Sequence, residues 1–106
     1  YRSIDAGDTW QLTNLNPNNG FGGLDKNLFV RFIAYHPFVK DLVFIGTSEG
    51  LYRSSDNLKS YSTIIPDGLL TEIEFHPKDK QTIYTIDVLT HDQNTIKISN
   101  DIGRNF

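Results

Sequence analysis

The chain has 106 residues with no cysteine, no methionine, one tryptophan and four prolines. Without thiols there is neither a disulfide nor a thiolate metal site in this stretch, and the redox compartment is left undetermined. A basic excess is also missing. The net charge is −3, and a phosphate-binding surface needs a basic stripe, so nucleic acid and anionic membranes are excluded as partners. No apolar run approaches the roughly 20 residues of a membrane-spanning helix, so no membrane contact is expected within this segment. No long apolar stripe follows a period of 3.6 residues either, and helices should be scarce.

What the chain does contain is a repeat. Ser3-Ile4-Asp5-Ala6-Gly7-Asp8-Thr9-Trp10 reads Ser-x-Asp-x-Gly-x-Thr-Trp, and weaker copies begin at Ser54 and Ser99, at spacings of 51 and 45 residues. The copies keep Ser54, Asp56 and Tyr61 and then Ser99, Asp101, Gly103 and Phe106. The pattern suits a β-hairpin tip in which the short Asp side chain caps backbone N–H groups of the turn. Gly7 and Gly103 take a positive φ there at little steric cost. Leu58 stands at that place in the middle copy, so either Asn57 adopts the special angle or that hairpin is distorted. Trp10, Tyr61 and Phe106 bring an apolar plate to the same point of each hairpin, each able to bury roughly 150–250 Å².

A second register extends the repeat. Ile33-Ala34-Tyr35-His36-Pro37 recurs at an offset of 40 as Ile73-Glu74-Phe75-His76-Pro77, and Val43-Phe44-Ile45 as Ile83-Tyr84-Thr85. Nearer the octapeptide the offset is 45, pairing Leu51-Tyr52-Arg53-Ser54 with Ile96-Lys97-Ile98-Ser99. About five residues are therefore inserted, placed between Thr90 and Asn94 and expected in a loop. Strands are predicted at 29–35, 42–47, 50–55 and 60–65, then 71–76, 82–89, 95–99 and one beginning near 105, rich in β-branched and aromatic residues and broken by turn formers.

Four antiparallel strands per unit of 40 to 50 residues is the pattern of a β-propeller blade. The fold expected is all-β: a fragment of one β-propeller domain over 1–106, about two four-stranded blades with residues 1–14 ending an earlier blade, 27–66 forming one and 70–106 the next without most of its last strand. Propellers close with about 4–8 blades. The expectation is an excerpt of a larger propeller, or one subunit of a ring completed by blades of the same or another chain.

The octapeptides resemble the Asp-box, or bacterial neuraminidase repeat, found in sialidases, xyloglucan-cleaving endoglucanases, photosystem assembly factors and the luminal propellers of sortilin-type sorting receptors. The closures Lys59-Ser60-Tyr61 and Arg104-Asn105-Phe106 resemble the sortilin habit, whereas Thr9-Trp10 is similar to the enzymes. The resemblance implies a non-catalytic propeller that binds peptide or protein cargo, extracellular or in the lumen of the secretory and endosomal pathway. The alternative it leaves open is a propeller segment of an extracellular glycoside hydrolase; an assembly factor is a third class.

Residue by residue, the chemistry is sparse. Asp5, Asp56 and Asp101 recur at every hairpin and are read as structural. A glycosidase needs two carboxylates facing across a cleft about 5–10 Å apart. Asp25, Asp41, Glu49, Asp87 and Asp92 are loop candidates, with no spacing that singles out a pair. His36 and His76 precede prolines at equivalent turns of separate units and are read as turn residues, since a metal needs three or four converging ligands. Gly20-Phe21-Gly22-Gly23 lacks the strand and helix of a phosphate loop. Arg31, whose repeat counterpart is Thr71, is either a ligand contact or a salt-bridge partner. Glu72 and Glu74 replace Phe32 and Ala34 and put one strand face toward water or a polar partner. With His91 in the inserted segment, these are the candidate ligand contacts. No catalytic residue, metal site or cofactor is expected.

Overall fold

The computed structural model describes residues 1–11, 29–90 and 93–106. It is all-β, with seven strands and no helix among the described residues: β1 (Val30–Tyr35), β2 (Val43–Thr47), β3 (Gly50–Ser54), β4 (Ser62–Ile65), β5 (Leu69–Phe75), β6 (Ile83–Thr90) and β7 (Gln93–Ser99). They form two antiparallel sheets, ordered β1-β2-β3-β4 and β5-β6-β7. Residues 1–11 make a separate hairpin closed by an Arg2–Gln11 bridge. The predicted strand near 105 is not formed: Asn105 and Phe106 carry no strand structure.

The two sheets share one register. Both edge strands skip a residue at the same repeat position, between Val30 and Phe32 in β1 and between Leu70 and Glu72 in β5. Arg31 and Thr71 are thus equivalent bulge residues, displaced from the ladder as an extra residue must be. The five-residue insertion behaves differently from the expected loop. β6 and β7 have 8 and 7 residues where β2 and β3 have 5 each, so three and two residues lengthen the strands. Thr90 pairs with Gln93 just as Thr47 pairs with Gly50. An antiparallel hairpin absorbs insertions this way because each added cross-strand pair gains ladder hydrogen bonds that a loop lacks.

Packing follows from the alternation of faces. On the front face of the first sheet, Phe32, Phe44 and Leu51 point one way; on its back face, Ile33, Val43, Ile45 and Tyr52 point the other. By the repeat offsets, Glu72, Glu74, Tyr84, Ile86, Ile96 and Ile98 make the front face of the second sheet, and Ile73, Phe75, Ile83 and Thr85 its back. The main core joins Phe44, Leu51 and Ile65 to Leu70, Ile83, Ile73 and Phe75. Front therefore meets back, a head-to-tail contact between equivalent units. The back face of the first sheet forms a second cluster of Val43, Ile45 and Tyr52 under Leu58 and Tyr61. β2 is consequently buried on both sides, and each such side chain contributes roughly 1.5–3 kcal/mol.

Candidate functional site

The three octapeptides are superimposable hydrogen-bonded devices. In each, the Ser hydroxyl donates to the Asp carboxylate at 2.7–2.8 Å and accepts the backbone N–H four residues on at 2.8 Å. The same carboxylate oxygen also accepts the N–H of Thr9, Ser60 or Asn105, and the other oxygen accepts that residue's side-chain donor. These bonds favour the ionised form, so all three carboxyls are held down to about 2, chiefly by the Thr9 and Ser60 hydroxyls and the Asn105 amide. Both oxygens of each carboxylate accept hydrogen bonds from the turn. The arrangement is a fastener and leaves nothing poised for proton transfer.

Two consecutive residues in each turn are left-handed: Ala6 and Gly7, Asn57 and Leu58, Ile102 and Gly103. The middle hairpin is undistorted, because Asn57 and Leu58 both accept the strain, at φ 57° and 69°. Leu58 packs on Val43, Ile45 and Tyr52, which offsets a cost of roughly 1–2 kcal/mol. Gly103 has a second reason to be glycine, since an added Cβ would lie 2.3 Å from the Phe44 ring. The aromatic plates differ. Tyr61 meets Tyr52 edge-on and Phe106 joins the core. Trp10, expected to bury its ring, is instead 61% exposed and folds onto its own hairpin, its Nε1 donating to the Gly7 carbonyl.

Successive units are fastened by repeating bonds. Arg2, immediately before the first box, donates to the carbonyl of Asn57, and Arg53, immediately before the second, donates to that of Ile102 at 3.0 Å. Asn57 and Ile102 are equivalent left-handed residues. Burial, with Arg104 nearby, lowers the Arg53 guanidinium's pKa. A second tie comes from the His-Pro turns. His36 accepts the Phe38 N–H on Nδ1, so Nε2 carries the proton and donates to the Lys80 carbonyl of the next unit at 2.8 Å. His76 accepts the Lys78 and Asp79 N–H groups on Nδ1, and its Nε2 has no partner among the described residues. Both histidines are thus turn elements, held apart in separate units. Among the described residues no group of acidic, His or Cys side chains is placed to hold a metal ion.

Among the described residues the remaining candidate carboxylates, Asp41, Glu49 and Asp87, form no cluster with one another. Glu49 is exposed at the β2–β3 turn, and the carbonyl of Asp41, a residue at φ 62°, receives the Asn57 N–H. Asp87, read from sequence as a loop residue, is a strand residue of β6 and only 2% exposed. Its repeat counterpart Thr47 is likewise a buried strand residue, at the end of β2. One Asp87 oxygen pairs with Lys97 at 3.1 Å and the other, Oδ1, has no hydrogen-bond partner among the described residues. It lies beneath Gly68, where an added Cβ would come within 2.5 Å of Oδ1.

Of the predicted ligand contacts, Arg31 is exposed on β1 and Glu72 and Glu74 are exposed on β5. Arg31 makes no ion pair among the described residues, so the expected salt bridge is absent there. β1 and β5 are equivalent edge strands on the side of each sheet away from the boxes. His91, Asp25, Asp92 and Gly20 to Gly23 lie outside the described residues. Sequence reasoning missed the Arg2 and Arg53 ties, although the arginine preceding two of the three boxes was a visible signal. It also missed the Asp87–Lys97 pair, for which the repeat has no counterpart. Comparison with known proteins finds no matching family model, no matching curated relative and no matching solved structure.

Proposed function

We propose that the N-terminal hairpin and the two sheets are successive blades of an Asp-box β-propeller, and that the propeller is a non-catalytic module binding peptide or protein cargo, in the manner of sortilin-type receptors. The observation that carries this reading is the head-to-tail contact. The hairpin is tied to the first sheet through Arg2 and Asn57 as the first sheet is tied to the second through Arg53 and Ile102. The stacking of front face on back face turns a repeated sequence into a repeated arrangement in space. Such a series closes into a ring when the rotation per unit allows.

In this reading the boxes lie on the rim, where their carboxylates secure hairpins, and β1 and β5 line the axis. The non-repeating group Arg31 sits on such an inner strand, which is where a ligand passing through the ring meets the protein. The Lys/Arg-small-aromatic closures favour the receptor over the hydrolase, and an extracellular or luminal location goes with it.

The test is to immobilise the full-length protein, pass peptide and secreted-protein pools over it, and assay it in parallel on xyloglucan and sialosides. Saturable retention of a peptide or protein without turnover is expected. Hydrolysis of either glycan overturns the binding-module reading in favour of the glycoside hydrolase.

A further inference from the structure

The front face of the first sheet is covered, while that of the second is open. Phe44 and Leu51 have no exposed surface, whereas Ile96 and Ile98, on the equivalent face, are 65% and 50% exposed. Around them Glu72, Glu74, Tyr84, Ile86 and Ile96 line a hollow of about 310 Å³. Glu72 and Glu74 are on one side of β5, roughly 7 Å apart along the strand, and neither side-chain carboxylate has an ion-pair or hydrogen-bond partner among the described residues. Lys97, the cation of this sheet's back face, is engaged with Asp87.

We propose that this face is the docking surface for a further antiparallel β-sheet of the same repeat, one that brings a lysine or arginine on its innermost strand to Glu72 and Glu74. The inference rests on the blade reading and adds the chemistry of the neighbour. Continuity specifies the sheet, since among the described residues the only occupant of a front face is the back face of an equivalent unit. The open tie agrees: His36 donates Nε2–H to the carbonyl of Lys80, and the same nitrogen of His76, whose Nδ1 accepts the Lys78 and Asp79 N–H groups, has no partner among the described residues. Charge specifies the cation. In the first sheet the β1 positions are Phe32 and Ala34, and an apolar back face covers them. Covering Glu72 and Glu74 in the same way would strip two like charges of water without compensation, which a cationic side chain avoids. The rim differs too, because Ile98 stands where Arg53 makes its tie, so this junction relies on its inner edge.

The experiment uses the full-length protein, with hydroxyl-radical footprinting of its tyrosines and thermal unfolding of two variants. Tyr84 is expected to label as slowly as Tyr52, which is buried here, and well below exposed Tyr35. The charge reversal Glu72→Lys/Glu74→Lys is expected to lower the unfolding midpoint by about 5 °C or more, and Glu72→Gln/Glu74→Gln by a smaller amount, whereas exposed sites shift it by only about a degree. If Tyr84 labels as fast as Tyr35, the face is open, and the inference and the blade reading fall together. If Tyr84 is protected but both variants melt with the wild type, the neighbouring sheet carries no cation and only this inference is overturned. Protection of Tyr84 that appears only on adding a lysine-rich peptide assigns the face to a soluble ligand and overturns the sheet as occupant.

Discussion

Phe44 and Tyr84 occupy the same place in two copies of one repeat, as do Leu51 and Ile96, yet the first of each pair is buried and the second meets water. The strands around them have the same order and the same bulge. What differs is the company: the first sheet has a neighbour on its front face and the second has none among the described residues. Local sequence builds the sheet, and stacking decides which of its faces is core. The same contrast runs through the back faces, where Tyr52 of the first sheet is replaced by Lys97 and Thr47 by Asp87.

The largest effect should come from breaking that replaced pair. Lys97→Met leaves Asp87 buried without its counter-charge and is expected to cost about 3 kcal/mol, the low end for a buried pair because Lys97 keeps 31% of its side chain in water. Asp87→Thr/Lys97→Met, which restores the residue found at Thr47, should recover most of that loss in denaturant unfolding. If the double variant is no better than Lys97→Met, the charge is not what makes the sheets differ.

The boxes offer a sharper test of the comparison. Gly103→Leu puts at the third box the residue that Leu58 supplies at the second, and should cost about 2 kcal/mol through overpacking against Phe44. Leu58→Gly should fall within about 1 kcal/mol of zero, since the relief of a left-handed leucine balances its lost packing. Equal losses for the two would show that the environment of the boxes is interchangeable, against the packing described.

The smallest effect is that of pH, common to all three boxes. Asp5, Asp56 and Asp101 have folded values of about 2 against an ordinary 3.8. A depressed folded value means that ionised boxes stabilise the fold above about pH 4, and that this stability is lost as pH falls from about 4 to about 2. Asp56→Asn should therefore be less stable than wild type at pH 7 and converge with it near pH 2. Parallel curves over that range would remove the box carboxylates from the account.

Much of this was legible from residues alone. The boxes were, because every bond in them closes within a few residues, from Ser3 to Thr9 or from Ser99 to Asn105. Strand positions were read to within a few residues, because alternation and turn formers are local. Asp87 was misread as a loop candidate even though the predicted strand 82–89 contains it; what the sequence could not tell was whether the five-residue offset enlarges a loop or extends two strands, which only cross-strand pairing decides. The exposure of Trp10 was equally hidden, since Tyr61 finds Tyr52 on its own sheet whereas residues 1–11 form only a hairpin among the described residues.

The order of side chains along the chain determined the strands, the boxes, the left-handed turns and the ionised, occupied state of three recurring aspartates. Their causes are short-range hydrogen bonds and steric limits that any copy of the motif carries with it. Only the tertiary structure decided that front meets back, that Arg53 and His36 reach into the next unit, that Asp87 is buried beside Lys97, and that Glu72 and Glu74 stand on an uncovered face. Those outcomes depend on which surfaces exclude water together, and burial is a property of the pair of surfaces that meet.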